Sequence, residues 1–458
     1  MLSVISSADR GLRDVYQRFD SNLRTLNTPG MKKFVIFHAF AIAGIAIMLS
    51  CGDRDPIDIV REFNFRVTSE KLMITLSWDR VADDDLTGYN LYRSTGGGEL
   101  ELYKVLETED SSYVDSTVSS DVVYGYQVTA TFAGGRESDP SEEERIIPGP
   151  TITWVFDWSS ARLVKMTHDV AHTTSDVFND LISVAAFDVD ENTGNIYLLD
   201  SFERSLILLQ EGKNPLVLKN EAGNVRRFED PTDVKYDPIR DDFWITDGSA
   251  GSIFHFENID STTFVLADSF STGGDAVEGQ LNAVRGSFWV VNNKQNSIVI
   301  YSREIGGFQQ TTVGGFSGNS IMLALDEIRG LAYAANRSNG DFFRISATGV
   351  KTELPSLNGV VLGAVEPSVG DLWLILDDNG NGLYDLAKLS EDGSRIITLA
   401  DRYSDPTWIG VNPFNSNVVV MDAASSGASI EVFTSTGEIL SSFGSFNQPL
   451  MGRILLER

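Results

Sequence analysis

The stretch Trp244-Ile-Thr-Asp-Gly-Ser-Ala-Gly-Ser-Ile-Phe-His-Phe256 reads as a strand, an Asp-led turn and a second strand, and its opening phrase recurs along the chain. The phrase is an aromatic or branched apolar residue, two or three apolar or small residues, and then Asp or Asn. Its copies end at seven positions: Asp157, Asp200, Asp247, Asn292, Asn336, Asp377 and Asp422. Successive copies are 41 to 47 residues apart. A period of about 40–45 residues is typical of a four-stranded propeller blade.

Short apolar runs around each copy predict four strands per unit. One strand precedes the phrase, as at 232–236, and further strands follow it, as at 252–256 and 263–266. The pattern predicts an all-β protein with a seven-bladed β-propeller over residues 151–458, and a six-bladed propeller is the fallback. The first copy has no strand before it. We therefore expect the spare strand at 450–456 to complete the first blade and cover its edge.

The polar residue that ends each phrase has two interpretations. It is a candidate catalytic group, or it is a turn residue whose side chain accepts bonds from backbone amides two residues on. Repetition at seven equivalent places favours the turn, because a binding site would break the repeat. The tryptophans of four copies are expected to pack between blades: Trp154, Trp244, Trp289 and Trp373.

Residues 57–148 predict a smaller all-β domain before the propeller. About seven short alternating strands and a Gly96-Gly-Gly98 turn are typical of an immunoglobulin-like sandwich. Leu76-Ser-Trp78, Gly88-Tyr-Asn-Leu-Tyr-Arg93 and Tyr124-Gly-Tyr-Gln-Val-Thr-Ala130 resemble the fibronectin type III family. The resemblance implies a spacer module, with Trp78 and Tyr126 in its core.

Residues 31–51 predict export and lipid attachment. Met31-Lys-Lys33 precedes the apolar run 34–49, in the order of a secretory signal, and the run is short for a membrane span of about 20 residues. Met48-Leu-Ser-Cys51 resembles the lipobox of bacterial lipoproteins, although Met48 replaces the usual Leu. The resemblance implies a lipid on Cys51 and a place in the cell envelope. The alternative is an uncleaved signal anchor with an incidental cysteine.

The predicted organisation of the whole chain follows from these features. Its segments are residues 1–30 as an upstream extension or a start placed too early, 31–50 as the signal peptide, 51–56 as a lipidated linker, 57–148 as the sandwich and 151–458 as the propeller. The formal charge of -29 at pH 7 excludes nucleic acid as a partner, because phosphate binding needs a basic surface.

The sixth copy breaks the repeat and suggests a metal site. After an inserted apolar residue it reads Asp377-Asp-Asn-Gly-Asn-Gly-Leu-Tyr-Asp385. Side-chain oxygens at positions 1, 3, 5 and 9, with Gly at 6, resemble an EF-hand-like calcium loop. The candidate ligands are Asp377, Asn379, Asn381 and Asp385. Position 12 is Lys388 rather than a bidentate Glu, so calcium would bind weakly. A longer Asn-Gly turn that needs no metal is the alternative.

The pattern of phrases resembles the NHL-repeat and WD-like propellers, without the charged signature residues of the NHL family. Such propellers present ligands on a face, so we expect a non-catalytic binder of protein, peptide or glycan that requires no cofactor. The alternative is a metal-dependent hydrolase or lyase in the channel, similar to gluconolactonases. His168, His172 and His255 are expected on outer strands, away from that channel, and no nucleophile motif is present.

Overall fold

The computed structural model describes residues 63–249, 251–260, 262–316 and 321–456, without the side chains of 175–177. Cys51 and the predicted signal lie outside the described residues. Within these ranges the chain forms strands and turns and no helix. The described residues therefore contain no helix long and apolar enough to cross a membrane. Of the described residues, those in 63–136 and 140–456 belong to one compact unit.

Residues 66–146 form a two-sheet N-terminal module. Its strands are β1 (Arg66–Glu70), β2 (Met73–Ser77), β3 (Leu86–Thr95), β4 (Glu101–Leu106), β5 (Ser112–Asp115), β6 (Tyr124–Phe132), β7 (Arg136–Glu137) and β8 (Glu144–Ile146). One sheet has the order β1-β2-β5, and the other has β4-β3-β6-β7 with β8 beside β6. Trp78 and Tyr126 are buried as predicted, and the Trp78 ring lies 5.5 Å from that of Tyr89. The family of this module stays a prediction.

Residues 151–456 form seven sheets. Their strands are β9 (Thr151–Asp157), β10 (Arg162–Met166), β11 (Thr173–Phe178), β12 (Val184–Val189), β13 (Ile196–Asp200), β14 (Ser205–Leu209), β15 (Leu216–Val217), β16 (Lys219–Asn220), β17 (Pro231–Asp237), β18 (Asp242–Asp247), β19 (Ser252–Asp260), β20 (Thr263–Ser271), β21 (Ala276–Asn282), β22 (Ser287–Asn292), β23 (Ser297–Glu304), β24 (Gly307–Val313), β25 (Ile321–Asp326), β26 (Leu331–Asn336), β27 (Phe342–Ser346), β28 (Lys351–Leu354), β29 (Val360–Val365), β30 (Leu372–Leu376), β31 (Tyr384–Leu389), β32 (Arg395–Tyr403), β33 (Pro406–Val411), β34 (Val418–Asp422), β35 (Ser429–Phe433), β36 (Ile439–Phe443) and β37 (Pro449–Leu456). The sheet orders are β37-β9-β10-β11, β12 to β15, β17 to β20 with β16 beside β20, β21 to β24, β25 to β28, β29 to β32 and β33 to β36.

The first strands of the seven sheets form a closed ring. Each contacts the first strand of the next sheet, and β37 contacts both β33 and β12. β37 pairs antiparallel with β9, so the expected completion of the first sheet by the last strand is confirmed. The pairing leaves β9 without a free edge, which otherwise invites aggregation.

The repeated phrase lies on the second strand of every sheet, which is covered on both faces by its neighbours. Burial on both faces explains why these strands are almost continuously apolar. The Trp244 ring stacks on Phe288 of the next sheet at 4.8 Å. Trp154, Trp289 and Trp373 likewise share buried clusters with side chains of the next sheet, which confirms their predicted packing.

The connections between strands form two rims. The upper rim consists of the turns after each second strand, such as 158–161 and 201–204, and of the loops before each first strand, such as 179–183. The lower rim consists of the turns after each first strand, such as 412–417, and after each third strand, such as 167–172.

The N-terminal module is bonded to the lower rim. Asp121 accepts a hydrogen bond from Asn415 at 2.7 Å and lies 3.2 Å from the ring of His168. The Ile147 amide donates to Asp169 at 2.8 Å. Glu70, at one end of β1, lies 4.0 Å from Lys165 of the ring. Phe63 lies beyond the opposite end of β1. The chain therefore enters the module at the end of β1 remote from Lys165, and these bonds between module and ring reach lower-rim turns and β10 rather than upper-rim turns.

Candidate functional site

A central cluster of charged side chains lies on the innermost strands and one upper-rim turn. It consists of Asp188 on β12, Asp233 and Lys235 on β17, Glu278 on β21, Arg337 after β26, and Arg453 on β37. The charges are paired: Asp233 with Lys235 at 2.8 Å, Glu278 with Arg337 at 3.9 Å, and Asp188 with Arg453 at 2.9 Å. The cluster is a polar site at the centre of the ring.

Two of these carboxylates also hold neighbouring sheets together. Asp188 accepts the backbone amide of Tyr236 at 2.9 Å, and Asp233 accepts that of Gly279 at 3.0 Å. Both bonds run from one innermost strand to the next. The positions of the cluster are therefore fixed by the backbone of the ring, as a preorganised site requires.

Glu278 is the cluster residue with the most perturbed acidity. Burial is the largest cause that raises its pKa, to about 7, with a further contribution from Asp233, while Arg337 and Lys235 oppose the shift. The side chain nevertheless keeps 31% of its exposure. A carboxyl that water reaches but protein surrounds fits a narrow channel, and a pKa near neutrality is typical of functional sites.

At the level of Asp233 and Glu278, four other innermost strands of the ring carry apolar residues. Register with the second strands places four residues level with Asp233 and Glu278: Met322, Leu362, Trp408 and Met451. Met322 is fully buried between sheets, whereas Leu362, Trp408 and Met451 are partly exposed. The centre of the ring thus combines hydrogen-bonding groups from β17 and β21 with apolar positions from β29, β33 and β37. Such a division suits a ligand that has both polar and apolar parts.

The central cluster was not predicted from the sequence. Its signal was present as charges that interrupt otherwise apolar first strands, as in Asp233-Val-Lys235 and in Met-Gly-Arg453-Ile-Leu. Sequence alone could not place Arg337 beside Glu278, because they belong to different sheets and are 59 residues apart.

The Asp and Asn residues of the repeated phrase have structural roles of two kinds. Asp200 accepts the amides of Phe202 and Glu203 in its own turn, as predicted. Asp247 instead accepts the amides of Glu229 and Asp230, which belong to the loop before the first strand of its sheet. Asp157 and Asp422 resemble Asp247 in this respect. For these three residues the turn interpretation was wrong, because the nearest unpaired amides belong to the neighbouring loop.

The predicted calcium loop is drawn together by hydrogen bonds. Asp377 accepts the amides of Asn381 and Gly382 at 3.1 and 3.0 Å. The side-chain amides of Asn379 and Asn381 donate to Asp401 at 3.3 and 2.7 Å. Asp385, the fourth predicted ligand, accepts the backbone amide of Asp401 at 2.8 Å. Asp401, on β32, is a carboxylate of this loop that the sequence did not reveal.

Lys388 explains why the loop lacks a twelfth-position ligand. Its ammonium lies 2.8 Å from Glu366 and 3.2 Å from Asp371. The lysine therefore belongs to a buried ion pair of the lower rim and takes no part in the loop. In the described ranges, no group of three or more His, Cys, Asp or Glu side chains is arranged to hold a metal ion.

The three histidines of the described residues lie away from the central cluster, as expected. His168 and His172 are in the lower-rim turn between β10 and β11. His172 lies 3.7 Å from both Asp169 and Glu144, and these carboxylates raise its pKa although burial opposes them. His255 is buried on β19, 2.9 Å from Asp242. The histidines serve the module junction and a blade core.

A cleft of about 360 Å³ opens beside the first and second sheets. Its lining includes Trp154, Phe178, Asn195, Gln210 and Lys213. Gln210 already donates to Asn195 at 2.8 Å, and Lys213 donates to Gln210 at 3.0 Å. Because its amides bond to each other, the cleft is a weaker candidate site than the central cluster.

No protein-family model matches the chain. Among curated proteins, 121 residues, or 26% of this chain, are 33% identical to an amylopullulanase of Thermoanaerobacterium thermosulfurigenes. An amylopullulanase of Thermoanaerobacterium saccharolyticum is 27% identical over 118 residues. This chain spans only 6% and 9% of the length of those two proteins.

Solved structures share the fold. A protein of unknown function from Desulfotomaculum acetoxidans has a TM-score of 0.53 and 11% identity, and one from Lactobacillus plantarum has 0.52 and 13%. A proposed 6-phosphogluconolactonase from Bacteroides uniformis has a TM-score of 0.50 and 10% identity. Each similarity covers 67% of this chain and 99% of the other. At this identity the likeness shows the fold, and the chain contains a β-propeller.

Proposed function

We propose that this protein is a binding protein of the bacterial envelope whose seven-bladed propeller holds a ligand at the upper rim and central cluster. The attachment of the N-terminal module to the lower rim is the observation that carries the proposal. The contacts of Asp121 and Ile147 tie the module to that rim, and the chain enters the module at its remote end near Phe63. The upper rim is left open to a ligand.

The ligand classes are protein, peptide or glycan, and no cofactor is required. The paired charges of the central cluster disfavour a strongly ionic ligand, because Lys235 and Arg337 already face Asp233 and Glu278. The similarity to amylopullulanases, enzymes of polysaccharide breakdown by name, supports a glycan.

The envelope location rests on the lipobox-like Met48-Leu-Ser-Cys51. In this proposal a lipid on Cys51 anchors the chain, and the N-terminal module, a fibronectin type III spacer, holds the propeller off the membrane. The Cys51→Ser variant is expected to appear in the soluble fraction, whereas the wild type sediments with membranes. Retention of the variant in the membrane fraction would contradict the lipid anchor and favour an uncleaved signal anchor.

A second function, hydrolysis or lyase chemistry in the channel, is favoured by one observation. The Glu278 carboxyl, with its pKa near 7, is able both to give and to accept a proton at neutral pH. A propeller neighbour is a proposed 6-phosphogluconolactonase. In this alternative Glu278 is the acid or base, and Arg337 holds an anionic part of the substrate.

One experiment separates the two functions. The purified chain is incubated with pullulan, maltohexaose and 6-phosphogluconolactone, and binding and product are both measured. Saturable binding without product supports the proposal. Product formation that Glu278→Gln abolishes, and that Glu353→Gln on an exposed strand leaves intact, establishes the enzyme instead.

A further inference from the structure

Three large apolar side chains are exposed on neighbouring segments of the upper rim. Trp158, Ile182 and Phe202 keep 52%, 82% and 80% of their surface exposed. They belong to the turn after β9, the loop between β11 and β12, and the turn after β13. We call these three residues, two aromatic and one aliphatic, the aromatic strip.

Backbone hydrogen bonds join the three segments into one surface. The Ala161 amide donates to Trp158 at 3.1 Å and closes the first turn. The amide of Leu181 donates to Ala161 at 2.8 Å. The Ser201 amide and hydroxyl both donate to Ser183, at 2.7 and 2.9 Å. Ile182 therefore lies between the turns of Trp158 and Phe202.

Turn tips normally carry polar residues, so three neighbouring large apolar residues there need a reason. Single exposed apolar residues are ordinary, but contiguous patches mark interaction sites. The strip exposes roughly 400 Å², taking about 200 Å² for a whole side chain of this size. A stable protein partner or a second copy needs about 800 Å² on each side. The area therefore suits a small or chain-like ligand.

The polar surroundings of the strip specify the chemistry of that ligand. Exposed Ser159, Asn179 and Ser201 offer hydroxyl and amide groups. Glu203, which is 2.9 Å from Arg227, adds a carboxylate whose charge is already balanced. Exposed Asp180 and Arg204, in the same loop and turn, add one charge of each sign. The strip thus combines flat aromatic faces with hydrogen-bonding groups, and the charges around it are balanced. An ionic ligand gains little here, whereas a ligand with apolar ring faces and many hydroxyls matches both features.

We propose that the aromatic strip binds a neutral oligosaccharide, with sugar faces against Trp158 and Phe202 and hydroxyls bonded to the surrounding polar groups. This inference deepens the proposed function, on which it rests, by naming the ligand class and the place of contact. The strip lies on the rim opposite the N-terminal module, where a long glycan has access from the side.

The test measures binding of the full-length chain, in detergent, to maltohexaose, cellohexaose, chitohexaose and pullulan, with an oligolysine peptide as the other ligand class. At least one glycan is expected to bind. Trp158→Ala/Phe202→Ala is expected to weaken that binding on the order of tenfold or more, because two aromatic contacts are lost. Both residues are exposed, so the melting temperature should be unchanged.

The matched control removes equally exposed apolar residues from the lower rim. Ile239→Ala/Ile328→Ala, at positions 61% and 60% exposed, should bind glycan like the wild type. Failure of all four glycans to bind, binding of oligolysine alone, or glycan binding that survives loss of the strip would overturn the inference. If the Trp158→Ala/Phe202→Ala variant still binds glycan but Arg337→Ala abolishes binding, the ligand occupies the central cluster, and only the proposed function stands.

Discussion

Glu278 shows how a single side chain at the centre of the ring affects the stability of the protein. Its pKa, raised by burial to about 7 from an ordinary value near 4.5, means that the folded protein holds this proton more tightly than the unfolded chain does. The stabilisation by the protonated carboxyl is present below about pH 4.5 and is lost as the pH rises through about 7. At higher pH the charged Glu278 destabilises the folded protein, because burial disfavours the charged form.

Glu278→Gln removes this destabilisation and keeps the shape of the side chain. We expect the variant to match the wild type at pH 4.5 and to be more stable at pH 8, by about 1–3 kcal/mol after discounting for partial solvent exposure. Urea unfolding at both pH values measures the difference. Glu353→Gln, on an exposed position of β28, should show no such pH dependence. An equal effect of Glu278→Gln at both pH values would contradict the raised pKa.

The N-terminal module contains a carboxylate with the opposite behaviour. Burial opposes the ionisation of Asp115, but hydrogen bonds from Arg93, Thr117 and Tyr126 outweigh it and lower its pKa to about 2. Its stabilising contribution is present above about pH 4 and is lost only as the pH falls toward 2. The side-chain environment, which sequence spacing does not report, decides whether the pKa of each carboxyl is raised or lowered.

At the scale of elements, the turn after β30 differs from the other six turns that follow a second strand. Asp377 accepts two amides within the turn, as Asp200 does in its own turn. The difference is that two asparagines of this turn donate to Asp401 of β32. The irregular spacing predicted an unusual loop, and the structure forms one. The calcium that the spacing suggested stays a prediction.

If calcium binds this loop with a Kd near 1 mM, 10 mM calcium stabilises the protein by about 1.4 kcal/mol. We expect a rise in melting temperature of about 2 degrees, which a thermal scan in chelator and in calcium detects. Asp377→Asn should abolish the rise. Asp378→Asn, which removes the partner of Arg395 at 2.7 Å, is the matched control and should keep it. No rise in the wild type would rule out the site.

At the scale of the whole molecule, the N-terminal module and the ring meet at Gly149. A side-chain carbon added there would lie 2.4 Å from the His168 ring. His168 is almost fully buried and is bonded by Thr151 and Asp121, so it cannot move aside. The close approach of Gly149 therefore sets how the two parts join.

Gly149→Ala is expected to lower the free energy of unfolding by about 1–3 kcal/mol through overpacking. It should also expose residues 147–150 to protease. Thermal unfolding and limited proteolysis measure the two effects. Gly314→Ala, at a glycine with open space around it, should do neither. Unchanged proteolysis of Gly149→Ala would show that the junction tolerates the added methyl group.

The sequence predicted the repeated parts of the molecule better than its site. The spacing of Asp157 to Asp422 indicated the propeller, and the spare apolar run indicated the closing strand β37, because repetition and hydrophobic pattern are local. The pairing of Glu278 with Arg337 and the contact of Asp121 with His168 depend on chain segments far apart in sequence. One sequence contains no information on which distant charges meet.

The pairing of β37 with β9 has a consequence for how the chain folds. Residues 151–157 pair with β10 at once, but their second partner, β37, comes only after about 300 further residues have been synthesised. Contacts of such sequence separation slow folding, so the first sheet is the last to become complete. During synthesis β9 therefore keeps one open edge until β37 emerges, while each of the other six sheets pairs strands that are close in sequence.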